Sequence, residues 1–492
     1  MSRIMLVLCL SIAASAAAAA DAPRVAGERS RAAPPPKVLW RHAPADEAMV
    51  SRIRWPELAV ARLAALDSAN RNRNADRRRP LQIGVGRVAT LEKAGGAGIG
   101  LRWRAVPGGQ SATFAITSPV AMGLRVGLAL QGLPANAELR IRGSELPLGD
   151  IVLVRAAEAA RSTGPDGLYW TPATDGETQT VELFVPAGAD IAPLRVSAPE
   201  LNHLVTNSRR NFKIIEKIGE SGSCNIDTAC RVGALGQNFV LAKDAVAHMM
   251  FNLYSTGGSS LGSYICTGTL LNDTDPATQV PLFFSADHCF AGDSGTIPAQ
   301  DRAQVAASLV TYWNYEASAC GSLVPTSRTT LTGGADVLFH DEYTDAMLLR
   351  LRSPAPSIAA FAGWDAGGLA ANADVVAIHH PSGDAKKVSF GRNVPADSDA
   401  SSHAVGWTTG TTEPGSSGSG LFVLGTDGHY RLHGGLHGGY AACPNAGNLD
   451  NEDNRDWYSR LDVVFPEVRQ FLAPEAPAGP RRRNGSQPLA PR

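Results

Sequence analysis

What the chain lacks most clearly is net charge. Its 45 lysines and arginines nearly cancel its 46 aspartates and glutamates, which leaves −1 at pH 7. Proteins that bind nucleic acids or acidic polymers carry blocks of basic residues, so the composition supports neither partner. Aromatic residues are also scarce at 6%, whereas 50 glycines and 32 prolines are present. This balance favours a loop-rich β protein over a helical bundle, and 492 residues suffice for two or three domains.

Beyond its first twenty residues the chain also lacks any apolar run long enough to span a bilayer. At the start, Arg3 precedes the apolar stretch Ile4–Leu10, which gives way to small residues up to Ala20. A basic start, a short apolar core and a small-residue cleavage site are typical of a secretory signal peptide. The sequence therefore predicts a signal peptide at 1–20 and an exported, soluble protein, extracellular or periplasmic, with no membrane partner.

No cysteine occurs between Cys9 and Cys224. An even set of cysteines remains after the signal peptide is removed: Cys224, Cys230, Cys266, Cys289, Cys320 and Cys443. Six cysteines in an oxidising compartment predict three disulfides. The competing zinc site lacks a C-x-x-C pair and clustered histidines, so we expect no metal and no cofactor. Because all six lie beyond residue 220, a domain boundary is predicted just before them.

The residues ahead of that boundary divide into two segments. Residues 21–110 contain a predicted helix over Glu47–Ser68 and the basic run Arg71–Arg79. Residues 111–217 contain short alternating runs at 123–130, 137–142 and 180–185. Period-two alternation bounded by glycine and proline predicts half-buried strands, and a small β-sandwich is expected there.

Residues 218–472 form the third segment. Apolar runs of strand length occur at 375–378 and 421–424, and Glu467–Leu472 are expected to end a final short helix. From 473 to 492 the chain turns to alanine, proline, glycine and arginine, including Arg481–Arg483. Such a composition predicts a disordered tail.

Three motifs in the third segment suggest chemistry. Ser417 lies between glycines in the run Thr412–Gly420, where a tight loop can expose a hydroxyl and gather backbone N–H groups. His288 ends an apolar strand and Asp345 begins another. Alone, each is more often structural than catalytic. Together, in the order His, Asp, Ser, they match one of three known arrangements of a catalytic triad.

With these motifs the chain resembles the trypsin-like serine proteases, and among them the bacterial lysyl endopeptidases, over roughly residues 219–466. The shared motifs are Ser285–Cys289, Asp345–Leu351 and Gly415–Gly418, and those more specific to the lysyl endopeptidases are Ser221–Cys230, Cys266–Gly268, Thr412–Ser419 and Leu436–Gly439. The resemblance implies an all-β fold, a trypsin-like double β-barrel over 218–472 preceded by a propeptide that contains the small β-sandwich. It also implies a serine endopeptidase that acts on proteins or peptides as a monomer.

The resemblance assigns roles to the motif residues. Ser417 attacks the scissile carbonyl, His288 takes its proton, and Asp345 orients the imidazole. The N–H groups of Gly415 and Ser417 form the oxyanion hole. Three other aspartates compete for the orienting role: Asp287, Asp336 and Asp341. Asp287 is adjacent to the histidine and cannot easily face its Nδ1 atom, and the other two lie outside the family motif.

The resemblance also implies the disulfide pairing Cys224–Cys443, Cys230–Cys320 and Cys266–Cys289, one of fifteen that six cysteines allow.

For specificity, the resemblance places Asp456 at the base of the pocket for a basic substrate side chain. A buried positive charge needs such a partner, but a solvated loop carboxylate is the alternative because acidic residues surround Asp456. His437 and Gly438 are expected to pair with the substrate backbone. Lysine-specific relatives stack a tryptophan on this histidine, and the nearest candidate, Trp407, lies too close to the serine loop. Cleavage after lysine is expected, with arginine or mixed specificity left open.

The two hundred residues ahead of the protease imply a propeptide, which is also a binding partner. Lys217 is the predicted cleavage site, with Lys213, Arg209 and Arg210 as competitors. Ser416 occupies the place of the acid that trypsin pairs with its new amino terminus. Activation is therefore expected to uncover the cleft instead.

Two alternative functions remain: an inactive protease-like binding module, and a carbohydrate-binding protein based on the β-rich segment.

Overall fold

The computed structural model describes residues 22–41, 47–72, 79–92, 98–145, 151–208, 219–292 and 297–475. The expected signal peptide, the junction around Lys217 and all but the first three residues of the expected tail lie outside the described residues. In the part that is described, strands far outnumber helices, and no helix is long and apolar enough to cross a bilayer. The expected all-β class is confirmed.

The described residues before 209 form mostly strands. They are β1 (Arg24–Val25), β2 (Glu28–Arg29), β3 (Val50–Arg54), β4 (Leu81–Gln82), β5 (Gly84–Val88), β6 (Trp103–Val106), β7 (Gly109–Thr117), β8 (Gly123–Gln131), β9 (Glu138–Gly143), β10 (Val152–Arg155), β11 (Tyr169–Trp170), β12 (Thr174–Asp175), β13 (Thr178–Pro186) and β14 (Arg195–Leu204). The α-helices are α1 (Val60–Asn72) and α2 (Ala156–Arg161), and a 3₁₀ turn covers Glu47–Met49.

The described residues from 219 onward also form mostly strands. These strands are β15 (Ile226–Asp227), β16 (Val246–Tyr254), β17 (Ser260–Leu271), β18 (Leu282–Ala286), β19 (Val310–Trp313), β20 (Thr329–Leu331), β21 (Ala335–Asp341), β22 (Ala346–Leu351), β23 (Ala360–Phe361), β24 (Gly363–Asp365), β25 (Asp374–His379), β26 (Lys387–Asn393), β27 (Ser402–Thr409), β28 (Gly420–Leu424), β29 (Tyr430–Gly439) and β30 (Asp456–Ser459). The α-helices are α3 (Val232–Asp244), α4 (His288–Ala291), α5 (Arg302–Ala307) and α6 (Leu461–Leu472).

Two sheets form the predicted β-sandwich. One has the order β10-β9-β13-β7-β3 and the other β11-β8-β14-β5. Alternate side chains of these strands meet in one core, in which Phe114, Val126 and Leu183 are fully buried. Burial of such side chains is the main favourable contribution to folding. Because β3 and β5 belong to the two sheets, the sandwich begins near residue 50 and not at residue 111.

The helix expected over Glu47–Ser68 is wrong in its first half. Residues Val50–Arg54 form β3, which pairs with β7 in parallel, and the helix begins only at Val60. Pro56 lacks an N–H and disfavours helical geometry in the residue before it. The strand pairing then decides the conformation of residues 50–54, since tertiary contacts override weak helix propensity.

The described residues from 219 onward form two further sheets, the two barrels of the expected fold, and β1 from residues 24–25 adds to the edge of the second. The first has the order β20-β19-β16-β17-β18-β22-β21, and the second β1-β24-β29-β28-β25-β26-β27-β30. Separate cores fill them, one around Phe251 and Phe283 and the other around Ile378 and Phe422. The strands expected at 375–378 and 421–424 are β25 and β28. The final helix, α6, begins at Leu461 and ends at Leu472, so Glu467–Leu472 form its end, as expected.

The sandwich docks on the first barrel through a buried arginine. Arg125 is fully buried and donates to Asn252 Oδ1 at 3.1 Å and to the Ser308 carbonyl at 2.7 Å, both on the barrel. It also donates to the Thr171 carbonyl of the sandwich at 3.0 Å. Burial lowers the pKa of Arg125, but three accepting oxygens stabilise its charge. The contact therefore holds the two units in one orientation.

An N-terminal arm, residues 22–31, also contacts the barrels, at a second place. Strand β1 pairs with β24 and β2 pairs with β23. Asn272 Nδ2 donates to the Ala26 carbonyl at 3.0 Å. A Cβ on Gly27 would lie 2.9 Å from the Phe361 carbonyl oxygen, so only glycine fits this close approach.

Candidate active site

His288 and Asp345 are brought together by the pairing of β18 with β22. Ala286 pairs with Ala346, so the residues just outside these strands are neighbours. Asp345 Oδ2 lies 2.7 Å from His288 Nδ1, and Oδ1 accepts the His288 backbone N–H at 2.8 Å. Both side chains are buried. One carboxylate thus fixes the ring and the backbone of the same histidine.

Asp345 adopts φ +57°, a left-handed conformation that is costly for a residue with a side chain. This backbone turn ends the loop before β22 and carries the carboxylate to the imidazole. In this conformation the Asp345 carboxylate makes both of its hydrogen bonds to His288.

The three competing aspartates are held by other partners. Asp287 pairs with Arg302 through both oxygens, at 2.6 and 2.7 Å. Asp336 pairs with Arg350 and Arg352, and Asp341 accepts from the Thr344 hydroxyl and N–H. Of the four candidates, Asp345 is the one whose carboxylate contacts the His288 ring among the described residues.

The loop that carries Ser417 packs against the strand that leads to His288. A Cβ on Gly418 would lie 2.1 Å from Ser285 Oγ and 2.7 Å from the Ala286 nitrogen. Gly415 and Gly418 have φ of +98° and +80°, which glycine adopts without strain. On the other side, Thr267 N donates to the Ser417 carbonyl at 2.8 Å. The glycines therefore allow the loop to fit between β17 and β18.

The backbone N–H groups of this loop fall into two sets. Those of Ser416, Gly418 and Ser419 donate to the carbonyls of Glu413, Leu436 and Ser416, respectively. Those of Gly415 and Ser417 donate to none of the described residues. Two preorganised donors next to one hydroxyl are what a developing oxyanion requires.

His288 Nε2 is buried and has no hydrogen-bond partner among the described residues, so it is not bonded to Ser417 Oγ in this structure. Catalytic hydrogen bonds are often long before substrate binds. Ser416, in contrast, turns inward: its hydroxyl lies 2.8 Å from His379 Nδ1. Burial lowers the pKa of His379 to about 3, so that ring is neutral.

Asp456 is a buried carboxylate and not a solvated loop residue, being 1% exposed. Its Oδ2 atom accepts from Trp407 Nε1 at 2.6 Å and from Thr412 Oγ1 at 2.7 Å. A Cβ on Gly439 would lie 2.1 Å from Asp456 Oδ1, so this close approach of β29 to the carboxylate requires glycine. These contacts hold a buried carboxylate beside the serine loop, to which Thr412 belongs.

Sequence reasoning missed the roles of Trp407 and Thr412. Trp407 does not stack on His437; its strand β27 pairs with β30, and its indole N–H reaches Asp456. The sequence did offer one signal for Thr412: it is the first residue of the run Thr412–Gly420 that carries Ser417. The His437 ring lies 6.3 Å from the His288 ring, between centroids, which places β29 and its Gly438 beside the imidazole.

The structure contains the disulfides Cys224–Cys443, Cys230–Cys320 and Cys266–Cys289, the pairing that the resemblance implies. The last bond joins β17 to the helix that begins with His288. The sulfurs of Cys266 and Cys289 come close to the His288 ring, but sulfurs that are bonded to each other offer no thiolate to a metal.

Known proteins with similar sequences place the chain in a family. A family model described as the lysyl endopeptidase C-terminal domain matches residues 218–459, and one described as the lysyl endopeptidase N-terminal domain matches residues 54–205. The Rv3671c protease of M. tuberculosis, in its active form, is 15% identical with a TM-score of 0.29, over 56% of this chain and 93% of its own. An inactive form of a serine-to-alanine variant is 14% identical, also with a TM-score of 0.29, over 51% and 95%.

A protein named lysyl endopeptidase from Pseudomonas aeruginosa is 34% identical over 409 residues, which span 80% of this chain and 82% of the relative. The two matched domains and this identity show that the chain belongs to the lysyl endopeptidase family and is a serine endopeptidase.

Proposed function

We propose that the chain is the precursor of a secreted, monomeric endopeptidase that cuts peptide bonds after lysine, with Ser417, His288 and Asp345 as its catalytic residues. The observation that carries the proposal is the double contact of Asp345 with His288, beside the strand on which the Ser417 loop packs. An inactive binding module would not need this set intact. A carbohydrate-binding role gains no support from the β-sandwich. This part of the propeptide packs against the first barrel through Arg125.

In the proposed reaction His288 Nε2 takes the Ser417 proton as the hydroxyl attacks the scissile carbonyl. The N–H groups of Gly415 and Ser417 receive the oxyanion, and losing one such donor typically costs about 3 kcal/mol of barrier. His288 then protonates the leaving amine. Asp345 holds Nδ1 protonated and stabilises the imidazolium without taking its proton. Water repeats the sequence on the acyl-enzyme.

The surroundings of Asp456 favour lysine over arginine. Two donors already occupy Oδ2, so its two lone-pair directions are used. Arginine binds a carboxylate best through both oxygens, whereas the compact lysine ammonium can bind through one. With Oδ2 engaged by two donors, the pocket suits the compact ammonium of lysine better than a fork that needs both oxygens.

Replacing Asp456 by asparagine is expected to lower kcat/KM for lysyl peptides about a thousandfold, because a buried ammonium would lose its counter-charge. The measurement is steady-state hydrolysis of a lysyl peptide by the processed enzyme. Asp453→Asn, an exposed neighbour, is the control and should stay within about twofold. An equal loss in both variants would remove Asp456 from the pocket.

Thr412→Val is expected to lower the lysine-to-arginine ratio of kcat/KM about tenfold, because it frees one lone pair of Oδ2 for a guanidinium. Thr411→Val is the matched control, since the Thr411 hydroxyl is buried and has no partner among the described residues. Paired lysyl and arginyl peptides measure the ratio. An unchanged ratio in Thr412→Val would contradict this preference for the compact ammonium.

A digest of a defined peptide mixture tests the proposal as a whole. Nearly every cut should follow lysine. Frequent cuts after arginine would replace the proposal by mixed specificity, and cuts after neither residue would remove Asp456 as the specificity determinant.

Activation is proposed to occur after Lys217, which bears the side chain the pocket accepts. Just beyond the junction, Ser221 donates through its N–H and hydroxyl to Asp384 Oδ2, at 3.1 and 2.8 Å, so the segment after the cut is anchored. Reading the amino terminus of the processed enzyme tests this site, and a start after Arg209, Arg210 or Lys213 would move it.

A further inference from the structure

One edge of β17 serves both the propeptide and the nucleophile loop. Its opposite edge pairs with β16. On the first edge, Ile265 pairs with Leu81 of β4, and Thr267 N donates to the Ser417 carbonyl at 2.8 Å. Alternate residues of a strand direct their backbone groups to the same edge. Ile265 and Thr267 therefore direct their backbone groups to the same edge of β17. Along that edge Leu81 pairs with Ile265 and Ser417 bonds to Thr267, so Leu81 and Ser417 are neighbours.

This edge lies across Ser417 from the Asp456 pocket. The loop bonds on its other side to β29, where Gly418 N donates to the Leu436 carbonyl at 2.8 Å and Leu436 N donates to the Ser419 carbonyl at 2.9 Å. Strand β29 pairs with β30, which begins at Asp456. Substrate residues before the scissile bond lie on that side. The residues after the scissile bond must therefore run toward β17. Along β17, Ile265 lies about 7 Å from Thr267, because each residue of a strand advances about 3.3 Å.

We propose that the propeptide inhibits the attached protease as a substrate mimic, with Leu81–Gln82 added to β17 in the place of the residues that follow a scissile bond. The inference rests on the proposed function, because it uses Ser417 and the Asp456 pocket. Strand addition of this kind uses backbone hydrogen bonds that a substrate peptide would otherwise make.

The direction of the propeptide chain is that of a substrate. Because β4 and β17 are antiparallel, going back from Leu81 to Arg79 corresponds to going from Ile265 to Thr267. Continued in this register, the Arg79–Pro80 bond is the one that meets the nucleophile. Proline has no N–H and crowds the residue before it, so a basic residue followed by proline can bind at the site and resist cleavage.

The inhibitory strand is held firmly from behind. Asn70 of α1 donates to the Gln82 carbonyl at 2.8 Å and accepts its N–H at 3.2 Å. Ile83 N donates to the Ser263 carbonyl at 2.9 Å. Leu81 itself is 4% exposed. A strand bound on both sides does not leave the cleft when the chain is cut elsewhere.

The test uses the full chain with its junction locked by Arg209→Gln, Arg210→Gln, Lys213→Gln and Lys217→Gln. Hydrolysis of a lysyl peptide by this chain is compared with that by the processed parent. We expect the locked chain to be at least a hundredfold slower, and Leu81→Asp in the locked chain to recover to within about tenfold of the processed enzyme. Leu91→Asp, at an 80% exposed leucine of the same propeptide, should leave the locked chain inhibited.

A second variant does not depend on disrupting the strand. Because the proposed pocket favours lysine, Arg79→Lys is combined with Pro80→Ala in the locked chain. This pair should permit a cut after position 79, which mass spectrometry detects as a fragment that begins at position 80. Full activity in the locked parent, no recovery in Leu81→Asp, or an intact chain carrying Arg79→Lys with Pro80→Ala would each overturn the inference. A processed parent that cuts no lysyl peptide would overturn the proposed function as well, so the two failures are distinguishable.

Discussion

Ser417→Ala is expected to reduce kcat/KM for lysyl peptides about a millionfold, the loss seen when a serine protease loses its nucleophile. In the proposed mechanism Ser417 is the group that forms the acyl-enzyme. The residual rate would come from the oxyanion donors and from substrate binding, which the substitution leaves in place. The variant precursor should be processed with a trace of the active parent, which is then removed, so that the comparison is between mature enzymes.

Ser416→Ala is the matched control for this experiment. It removes the adjacent hydroxyl, which contacts His379 and not the cleft, and it should keep kcat/KM within about tenfold of the parent. An organophosphorus probe that forms a bond with the nucleophile should label the Ser416→Ala variant and not the Ser417→Ala variant. Labelling of the Ser417→Ala variant would assign the nucleophile to another residue.

Asp345→Asn should lower kcat about ten-thousandfold while leaving substrate affinity nearly unchanged. An amide at this position donates where the carboxylate accepts, which favours the His288 tautomer that cannot take the Ser417 proton. The His288 backbone bond at 2.8 Å can still be made to the amide oxygen, so the fold should survive. Steady-state kinetics with a lysyl peptide, together with circular dichroism, separate the chemical effect from unfolding.

Asp287→Asn distinguishes the two aspartates nearest the histidine. It weakens the pairing with Arg302, which is a structural contact, so a lower melting temperature with kcat within about tenfold is expected. If Asp287→Asn instead abolished activity and Asp345→Asn did not, the orienting role would belong to Asp287.

The proposed catalytic residues could be predicted from short stretches of sequence. Ser417, His288 and Asp345 each lie in a short motif, and the turn residues around them have fixed offsets. The choice of Asp345 over Asp287, Asp336 and Asp341 rested on a motif, and the structure adds that arginines or a threonine hold the other three carboxylates.

The pocket was harder to predict because its parts are distant in sequence. Trp407, Thr412 and Asp456 meet only after β27, β29 and β30 have paired. No local pattern says that an indole N–H will reach a carboxylate nearly fifty residues later. In the propeptide, the strand at Val50–Arg54 was mistaken for helix for a similar reason: its partner β7 lies some sixty residues away.

The propeptide attaches to the protease at three places, the arm, the sandwich and β4, and this has a consequence for timing. When one contact opens after the junction is cut, the remaining contacts keep the propeptide at a high effective concentration beside the enzyme. Dilution alone would then release it slowly. Activity should appear after a lag, which ends when the propeptide is itself degraded. Such a delay would let the precursor leave its producing cell before the first substrate is cut.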